Sequence, residues 1–210
     1  LENLSLIPGN VGTSPMQNIG AYGVELKDVF HSLNALEIAT GTIQTFDKEA
    51  CAFGYRDSFF KFLGKNRFII LDVTFRLTRK DHVLKMNYGA IKEELDKKGI
   101  SHPGIQEVSE AVIDIRKSKL PDPKEIGNSG SFFKNPVVST AHFESLKSVY
   151  PDIPNFPVSE DLTKVPAGWL IEQCGFKGKR VGDAGVHKNQ ALVLVNYGNA
   201  SGKEIYDLAV

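Results

Sequence analysis

No apolar run in this chain approaches the ~20 residues that a helix needs to cross a bilayer. The longest, Phe68-Ile69-Ile70-Leu71 and residues 191–195, break off after a few positions, so no membrane partner is expected. Net charge is missing too. The 25 basic side chains balance 25 acidic ones, and no basic stretch compensates locally. The phosphate attraction that carries most nucleic-acid binding is therefore absent, and no nucleic-acid partner is expected. Cysteine is scarce: Cys51 and Cys174 stand far apart with no CxxC or CxxH neighbourhood. That argues against a zinc site or a disulfide framework, implies no metal, and fits a reducing compartment, the cytoplasm. Internal repeats, heptads and low-complexity tracts are also lacking. What remains is 210 residues, 41% of them hydrophobic, enough for one large or two ordinary globular domains.

The ends read as cut edges. Leu1-Glu2-Asn3-Leu4 offers no initiator Met, signal pattern or lipidation signature. At the other end Ser201-Gly202-Lys203-Glu204 reads as a capping box opening a helix with Ile205, Leu208 and Ala209 on its apolar face, and the chain stops at Val210 without a cap. The sequence alone thus reads as a piece lacking residues on both sides.

Between the ends, residues 9–23 hold Gly9, Gly12, Gly20 and Gly23 among small polar residues and predict an ordered loop. Strand patterns follow at 33–38, 42–46 and 68–77, with a Thr40-Gly41 turn, and together they predict an antiparallel sheet. In the last run Ile69, Leu71, Val73 and Phe75 alternate with Ile70, Asp72, Thr74 and Arg76. Asp47-Lys48-Glu49-Ala50 predicts a short capped helical turn ending at Gly54. Helices are predicted through Ile91 and Leu95 to Gly99, and through Ile105, Val108, Val112 and Ile115. Leu120-Pro121-Asp122-Pro123 ends the second of these and is the candidate linker. Beyond it, Ser139 is placed to cap a helix carrying Phe143, Leu146 and Val149. The Pro-rich stretch 151–157 predicts a surface loop, residues 167–174 a helix closed by Gly175, and residues 191–196 a strand. Strands and helices without strict βαβ alternation give the class α+β.

Several segments carry chemistry in one reading and only structure in another. The glycines of 9–23 either make tight turns or let backbone amides approach a phosphate or flavin, since Gly lacks the Cβ that holds a ligand away. Arg56, in the aromatic run from Tyr55 to Phe60, either pairs with Asp57 beside it or aims its planar fork at a substrate carboxylate. Residues 127–136 set Ser131 against Phe132 and Phe133. They make either a plain turn before a strand or a hydroxyl at the mouth of an apolar pocket. The segment is not a GxSxG elbow, and no pattern marks any of the five histidines as a base. As a catalyst, Ser131 suits proton donation to a carbanion better than nucleophilic attack. Lys177, Lys179 and Arg180 either complement a helix end or bind a diphosphate, and Trp169 sits at core spacing.

In this order, Ile7-Pro8-Gly9 through Gly23, Tyr55-Arg56-Asp57-Ser58, Lys119-Leu120-Pro121-Asp122-Pro123, Gly127 through Pro136, and Ala167-Gly168-Trp169-Leu170-Ile171 resemble the UDP-N-acetylenolpyruvoylglucosamine reductase family across essentially the whole chain. The resemblance implies residues 1–120 as the second subdomain of a two-part FAD-binding domain and 121–210 as an α+β substrate-binding domain. It implies FAD as cofactor, NADPH as reductant and UDP-N-acetylenolpyruvoylglucosamine as substrate, with no protein partner. Gly12, Thr13, Ser14, Gln17, Asn18, Ile19, Gly20 and Gly23 would line the flavin, with Arg116 at the ring's carbonyl edge. Tyr88, Lys119, Asn135, Phe156, Lys177 and Gln190 would hold the UDP-sugar. Arg56 would stabilise an enolate and Ser131 would deliver the proton.

The chain departs from the family in three places. Phe156 stands where the family has a tyrosine that closes over the nucleotide. The family's N-terminal subdomain, with its Gly-Ser-Asn loop, has no counterpart, and its C-terminal glutamate would lie beyond Val210. The piece alone is thus expected to be inactive or impaired and to expose apolar surface. A non-catalytic flavin or UDP-sugar binding module and an ordinary interaction domain are the competing classes.

Overall fold

In the computed structural model, which describes residues 1–88 and 90–210, the chain divides between Arg116 and Lys117 into two units, each with its own core. The first unit opens on the glycine loop, which contains a 3-10 turn at Val11–Thr13 and a short hairpin of β1 (Gly20–Ala21) and β2 (Val24–Glu25). Its main sheet has β3 (Phe30–Glu37) at the centre, flanked by β4 (Ile43–Asp47) and β5 (Phe68–Phe75), all antiparallel. Leu33 and Ala35 turn inward from β3 and pack with Leu26, Phe30, Phe46, Cys51 and Phe60. The ring of Phe46 lies 5.1 to 5.6 Å from those of Phe59, Phe60 and Phe68, an aromatic cluster with centroid spacings in the favoured range.

Strict alternation along β5 fails, and a bulge is the reason. Asn34 pairs with Asp72 but Ala35 pairs with Ile70, so Leu71 is skipped in the ladder. An extra residue in one strand reverses which side chains face the core beyond it. Val73 and Phe75 pack inward on one side of the bulge, and Ile70 and Phe68 do so on the other. Ile69 and Leu71, which the alternation groups with Val73 and Phe75, are instead 52% and 50% exposed. Residues 47–54 form a capped turn rather than a helix: the Ala50 amide donates to Asp47 Oδ1 at 2.8 Å, and Ala52 has φ +44.

Helices α1 (Ile91–Lys97) and α2 (Ile105–Lys119) make a second cluster through Ile91, Leu95, Val108, Ala111, Val112 and Ile115. Ile105 is exposed instead. Gly99, at φ +69, closes α1 in a Schellman arrangement, with the Ile100 amide donating to Leu95 O and the Gly99 amide to Asp96 O, both at 3.0 Å.

The second unit holds two antiparallel sheets. β6 (Gly127–Ser131) pairs with β12 (Val193–Asn196), which continues through β11 (Ala184–Val186) to β10 (Arg180–Val181). Residues 127–131 are thus a strand rather than a turn leading into one. β7 (Val137–Ser139), β9 (Leu162–Lys164) and β8 (Phe156–Pro157) form the smaller sheet. The Pro-rich stretch therefore supplies an edge strand, where proline's missing N–H is tolerated, and buries Ile153. Ser139 caps α3 (Thr140–Val149), accepting from His142 N at 3.2 Å. Phe143 is buried with Ile153 and Val165, Trp169 packs partly against them, and Val149 points outward. Helix α4 (Ala167–Gln173) ends in a second Schellman arrangement at Gly175, φ +72. The Ser201 and Glu204 capping box opens α5 (Gly202–Ala209).

The bulge predicts different costs at neighbouring positions. Ile69→Thr should leave urea stability within ~0.5 kcal/mol of the parent, while Ile70→Thr should cost ~1.5 kcal/mol; equal losses would place both side chains in the core. The two thiols should also separate. Burial, and then the Asp47 carboxylate, push the Cys51 thiol from 9.0 up to about 12, while Cys174 is exposed. An aromatic disulfide reagent at pH 8 should titrate one thiol in the native chain and two in urea. Between 9.0 and about 12 the unfolded chain releases a proton that the folded chain keeps, so stability should fall as pH rises through that window.

Candidate active site

Arg56 is held by the hairpin, not by its neighbour in sequence. Gly20 and Glu25 are paired across β1 and β2. Arg56 Nη2 donates to Gly20 O at 2.5 Å, and its Nη1 lies 3.6 Å from Glu25 Oε1. Asp57, the expected partner, instead accepts from the Ser58 amide at 2.8 Å. Arg56 sits at φ +54 in a turn closed by the Gly54 and Asp57 bridge. The Tyr55 ring lies 5.2 Å from its guanidinium, and Lys61 Nζ donates to its carbonyl at 3.1 Å. A Cβ on Gly20 would stand 2.7 Å from Arg56 Nη1 and 2.9 Å from Val24 O, so only glycine admits this approach.

The loop and the Arg56 turn are tied into one body. Asn18 is fully buried; its Nδ2 donates to Glu25 Oε2 at 3.0 Å and to Gly54 O at 2.9 Å, and its Oδ1 accepts from the Lys27 amide at 3.0 Å. Ser58 Oγ donates to Met16 O at 2.7 Å. Thr13 and Ser14 turn their hydroxyl protons back on Asn10 O and Val11 O. Ile19 packs against the core, and Gln17 is exposed. Gly12 has nothing within 4 Å of the place a Cβ would occupy. Around that opening Val11 and Met16 are exposed. A glycine-opened surface with apolar flanks and backbone amides suits a flat heterocycle carrying a phosphate chain, so the residues present fit a flavin.

Farther along the first unit, the Tyr88 side chain packs over Gly23, φ +76, and meets the Tyr22 ring edge-on at 6.4 Å. Arg116 Nε donates to Leu6 O at 3.3 Å. Burial holds the Arg116 guanidinium below its ordinary value and raises the Tyr22 hydroxyl, with Arg116 opposing the latter shift.

In the second unit Ser131 ends β6 opposite Val193 and is exposed. Phe132 follows, its amide donating to Leu192 O at 2.7 Å, and Phe133 turns at φ +85 with its ring 4.6 Å from that of Phe132. A cavity of about 460 Å³ is lined by Phe132, Phe133, Leu170, Ile171 and Phe176 among others. Ser131 stands one residue outside that lining, so the apolar mouth belongs to the two phenylalanines. Asn135 Oδ1 accepts from the Ala167 amide at 2.9 Å, capping α4 and leaving its Nδ2 as the group that can face a ligand. Gln190 Oε1 lies 3.8 Å from the Cβ position of Gly168. Lys177 pairs with Glu172 at 2.8 Å, Phe156 is exposed beneath Lys164 Nζ at 5.9 Å, and Lys119 is exposed. Nearby in sequence, His187 is buried with Nδ1 lacking a hydrogen-bond partner among the described residues, and burial, then Lys188, lower its pKa. Among the described residues no group of three or more His, Cys, Asp or Glu side chains gathers to hold a metal.

Glu25 is the residue that sequence reasoning missed. The signal was present: Tyr22 and Gly23 have φ +48 and +76, the two-residue turn that an X-Gly pair favours in tight hairpins. That turn dictates pairing of Gly20 with Glu25. Asn18→Ala should cost ~3 kcal/mol in urea unfolding, because it removes three hydrogen bonds and leaves their part-buried partners on two segments unpaired. Gly12→Ala, with open space around it, should stay within ~0.5 kcal/mol.

Residues 122–210 match the family model described as the C-terminal domain of UDP-N-acetylenolpyruvoylglucosamine reductase. Over 209 residues the chain is 60% identical to the curated UDP-N-acetylenolpyruvoylglucosamine reductase of Flavobacterium johnsoniae, covering 100% of this chain and 62% of that protein. It is 53% identical to the reductase of the same name from Pseudomonas aeruginosa, covering 100% of this chain and 61% of that one. The crystal structure of the reductase from Thermus caldophilus superposes with a TM-score of 0.65 at 25% identity, over 99% of this chain and 57% of the other. No helix among the described residues is long and apolar enough to cross a membrane. The chain spans about three fifths of the length of the curated relatives it matches, and over that whole span it is similar to the UDP-N-acetylenolpyruvoylglucosamine reductases.

Proposed function

We propose that this chain supplies one flavin-holding subdomain, residues 1–120, and the substrate-binding domain, from residue 121 onward, of a cytoplasmic reductase. That reductase converts UDP-N-acetylenolpyruvoylglucosamine to UDP-N-acetylmuramate in peptidoglycan biosynthesis. The observation that carries this reading is the 60% identity with a reductase of that name, unbroken over the whole chain. FAD, reduced by NADPH, supplies the hydride when bound. Residues 12–23 and Arg116 would hold it, the glycines admitting close backbone approach and the guanidinium supplying charged N–H donors.

The substrate's alkene carries a carboxylate, so hydride addition at the terminal carbon places negative charge where that carboxylate accepts it as an enolate. Arg56 stabilises the charge, an effect worth roughly 3 kcal/mol for one well-placed donor. Ser131 then gives its proton to the carbon bearing the carboxylate. A hydroxyl is a weak acid, yet it needs only to be stronger than the carbon acid it forms, which removes any need for a catalytic triad. Tyr88, Lys119, Lys177, Gln190 and the Asn135 amide hold the UDP-sugar. Phe156 closes over it through its ring alone, without the hydroxyl contact to phosphate that a tyrosine adds.

The test is the visible spectrum of the full-length protein, then anaerobic reduction by NADPH and reoxidation by the enolpyruvyl sugar. A flavin spectrum bleached by NADPH and restored by that sugar is the expected result. Ser131→Ala should bleach at the parent rate and recover about 10²–10⁴-fold more slowly. A protein that stays colourless after FAD is supplied, or a reduced flavin that the sugar leaves reduced, overturns the reading.

A further inference from the structure

We propose that Glu25 is the positioning residue for Arg56: its carboxylate fixes the guanidinium in the orientation that meets the substrate carboxylate. The inference rests on the enolate-stabilising role given to Arg56 above.

The two oxygens of Glu25 divide the task. Oε2 is anchored, accepting from Asn18 Nδ2 at 3.0 Å and lying 2.9 Å from Lys27 Nζ. The Glu25 amide also donates to Asp28 Oδ2 at 3.1 Å, which ties the residue's backbone to the turn that follows it. Oε1 is left for Arg56 at 3.6 Å. A carboxylate held this firmly orients its partner at little entropic cost, because its own rotamer is already decided.

The geometry also leaves the cation usable. A bidentate ion pair at hydrogen-bond distance would commit two donors and much of the charge. Here one donor goes to the Gly20 carbonyl, the carboxylate stays beyond hydrogen-bond range, and 30% of the Arg56 side chain remains exposed. Both anchors lie on one hairpin pair, Gly20 and Glu25, so the guanidinium has a two-point seat on a rigid element. Asp57, committed to the Ser58 amide, does not substitute for Glu25.

Glu25→Gln tests this in the full-length protein, because its amide oxygen can still accept from Asn18 while its NH₂ opposes Arg56. Flavin content and the rate of reduction by NADPH should stay at the parent values, and reoxidation by the enolpyruvyl sugar should slow about tenfold. In an Arg56→Lys background the same change should alter reoxidation less than twofold. The Arg56 Nε–Hε resonance, identified by its loss in Arg56→Lys, should shift and broaden in Glu25→Gln before any substrate is added. Glu25→Asp, which retains the charge on a shorter arm, should recover part of the rate. The proposal is overturned by equal slowing of both half-reactions, by loss of flavin in both Glu25 variants, or by a full tenfold loss persisting beside Arg56→Lys. An unmoved Arg56 resonance overturns it as well. Failure of the parent protein itself to be reoxidised by the sugar is a different result, and it removes the functional reading on which the role depends.

Discussion

The Asn18 carboxamide lies where three segments meet and ties its own loop to the other two: Nδ2 donates to the Glu25 carboxylate and the Gly54 carbonyl, and Oδ1 accepts from the Lys27 amide. Because the group is fully buried, an unmade bond there would cost the whole desolvation penalty of an amide. The three segments therefore hold one arrangement. The glycine loop cannot move without the hairpin, and the hairpin cannot move without the turn that carries Arg56. Asn18 also sits at φ +44, a backbone geometry that asparagine tolerates better than most residues. The choice of residue thus meets two demands at once, left-handed backbone and three-way polar satisfaction.

The second unit reaches similar rigidity by a different route. β12 is an inner strand of its sheet and buries Val193 and Val195 completely. β6 is its edge partner, and its glycines would make a weak strand if it stood alone. Pairing with β12 decides its register: Ser131 lies opposite Val193, the Phe132 amide bonds Leu192 O, and Asn128 Oδ1 takes the Gly130 amide at φ +79. The position of the proposed proton donor is therefore a property of the valine strand across from it. Asn135, four residues on, is fixed in turn by capping α4.

Element existence was legible where local chemistry and long-range packing agree. The Schellman ends at Gly99 and Gly175, the Ser139 cap and the Ser201 box all follow from short-range hydrogen bonding, and each appears where the residues announce it. The expected antiparallel sheet of the first unit is there as well, although the alternation read in its last strand breaks at the bulge. What failed was decided by partners distant in sequence. The bulge at Leu71 depends on how β5 meets β3, so periodicity within β5 alone assigned Ile69 and Leu71 to the wrong face. The strand character of residues 127–131 depends on β12, some sixty positions away. Arg56 was legible as a cation in need of an acid, but adjacency suggested Asp57, whereas the hairpin brings Glu25 from much earlier in the chain.

Under the proposed function, the same pairing of charges lets a chain with no net charge serve a strongly anionic ligand. Two cations with proposed ligand roles, one in each unit, come with an acid already beside them: Arg56 with Glu25 and Lys177 with Glu172. Exposed pairs of this kind contribute little to stability, a median near 0–1 kcal/mol. Their value lies in orientation, since a long flexible side chain loses less entropy on meeting a ligand when it is already held. An anionic ligand then meets a side chain whose orientation is already set. Long-range attraction is sacrificed, and anions that match only one of the cations gain little. For the function proposed above, local pairing on a neutral chain favours selectivity over capture rate.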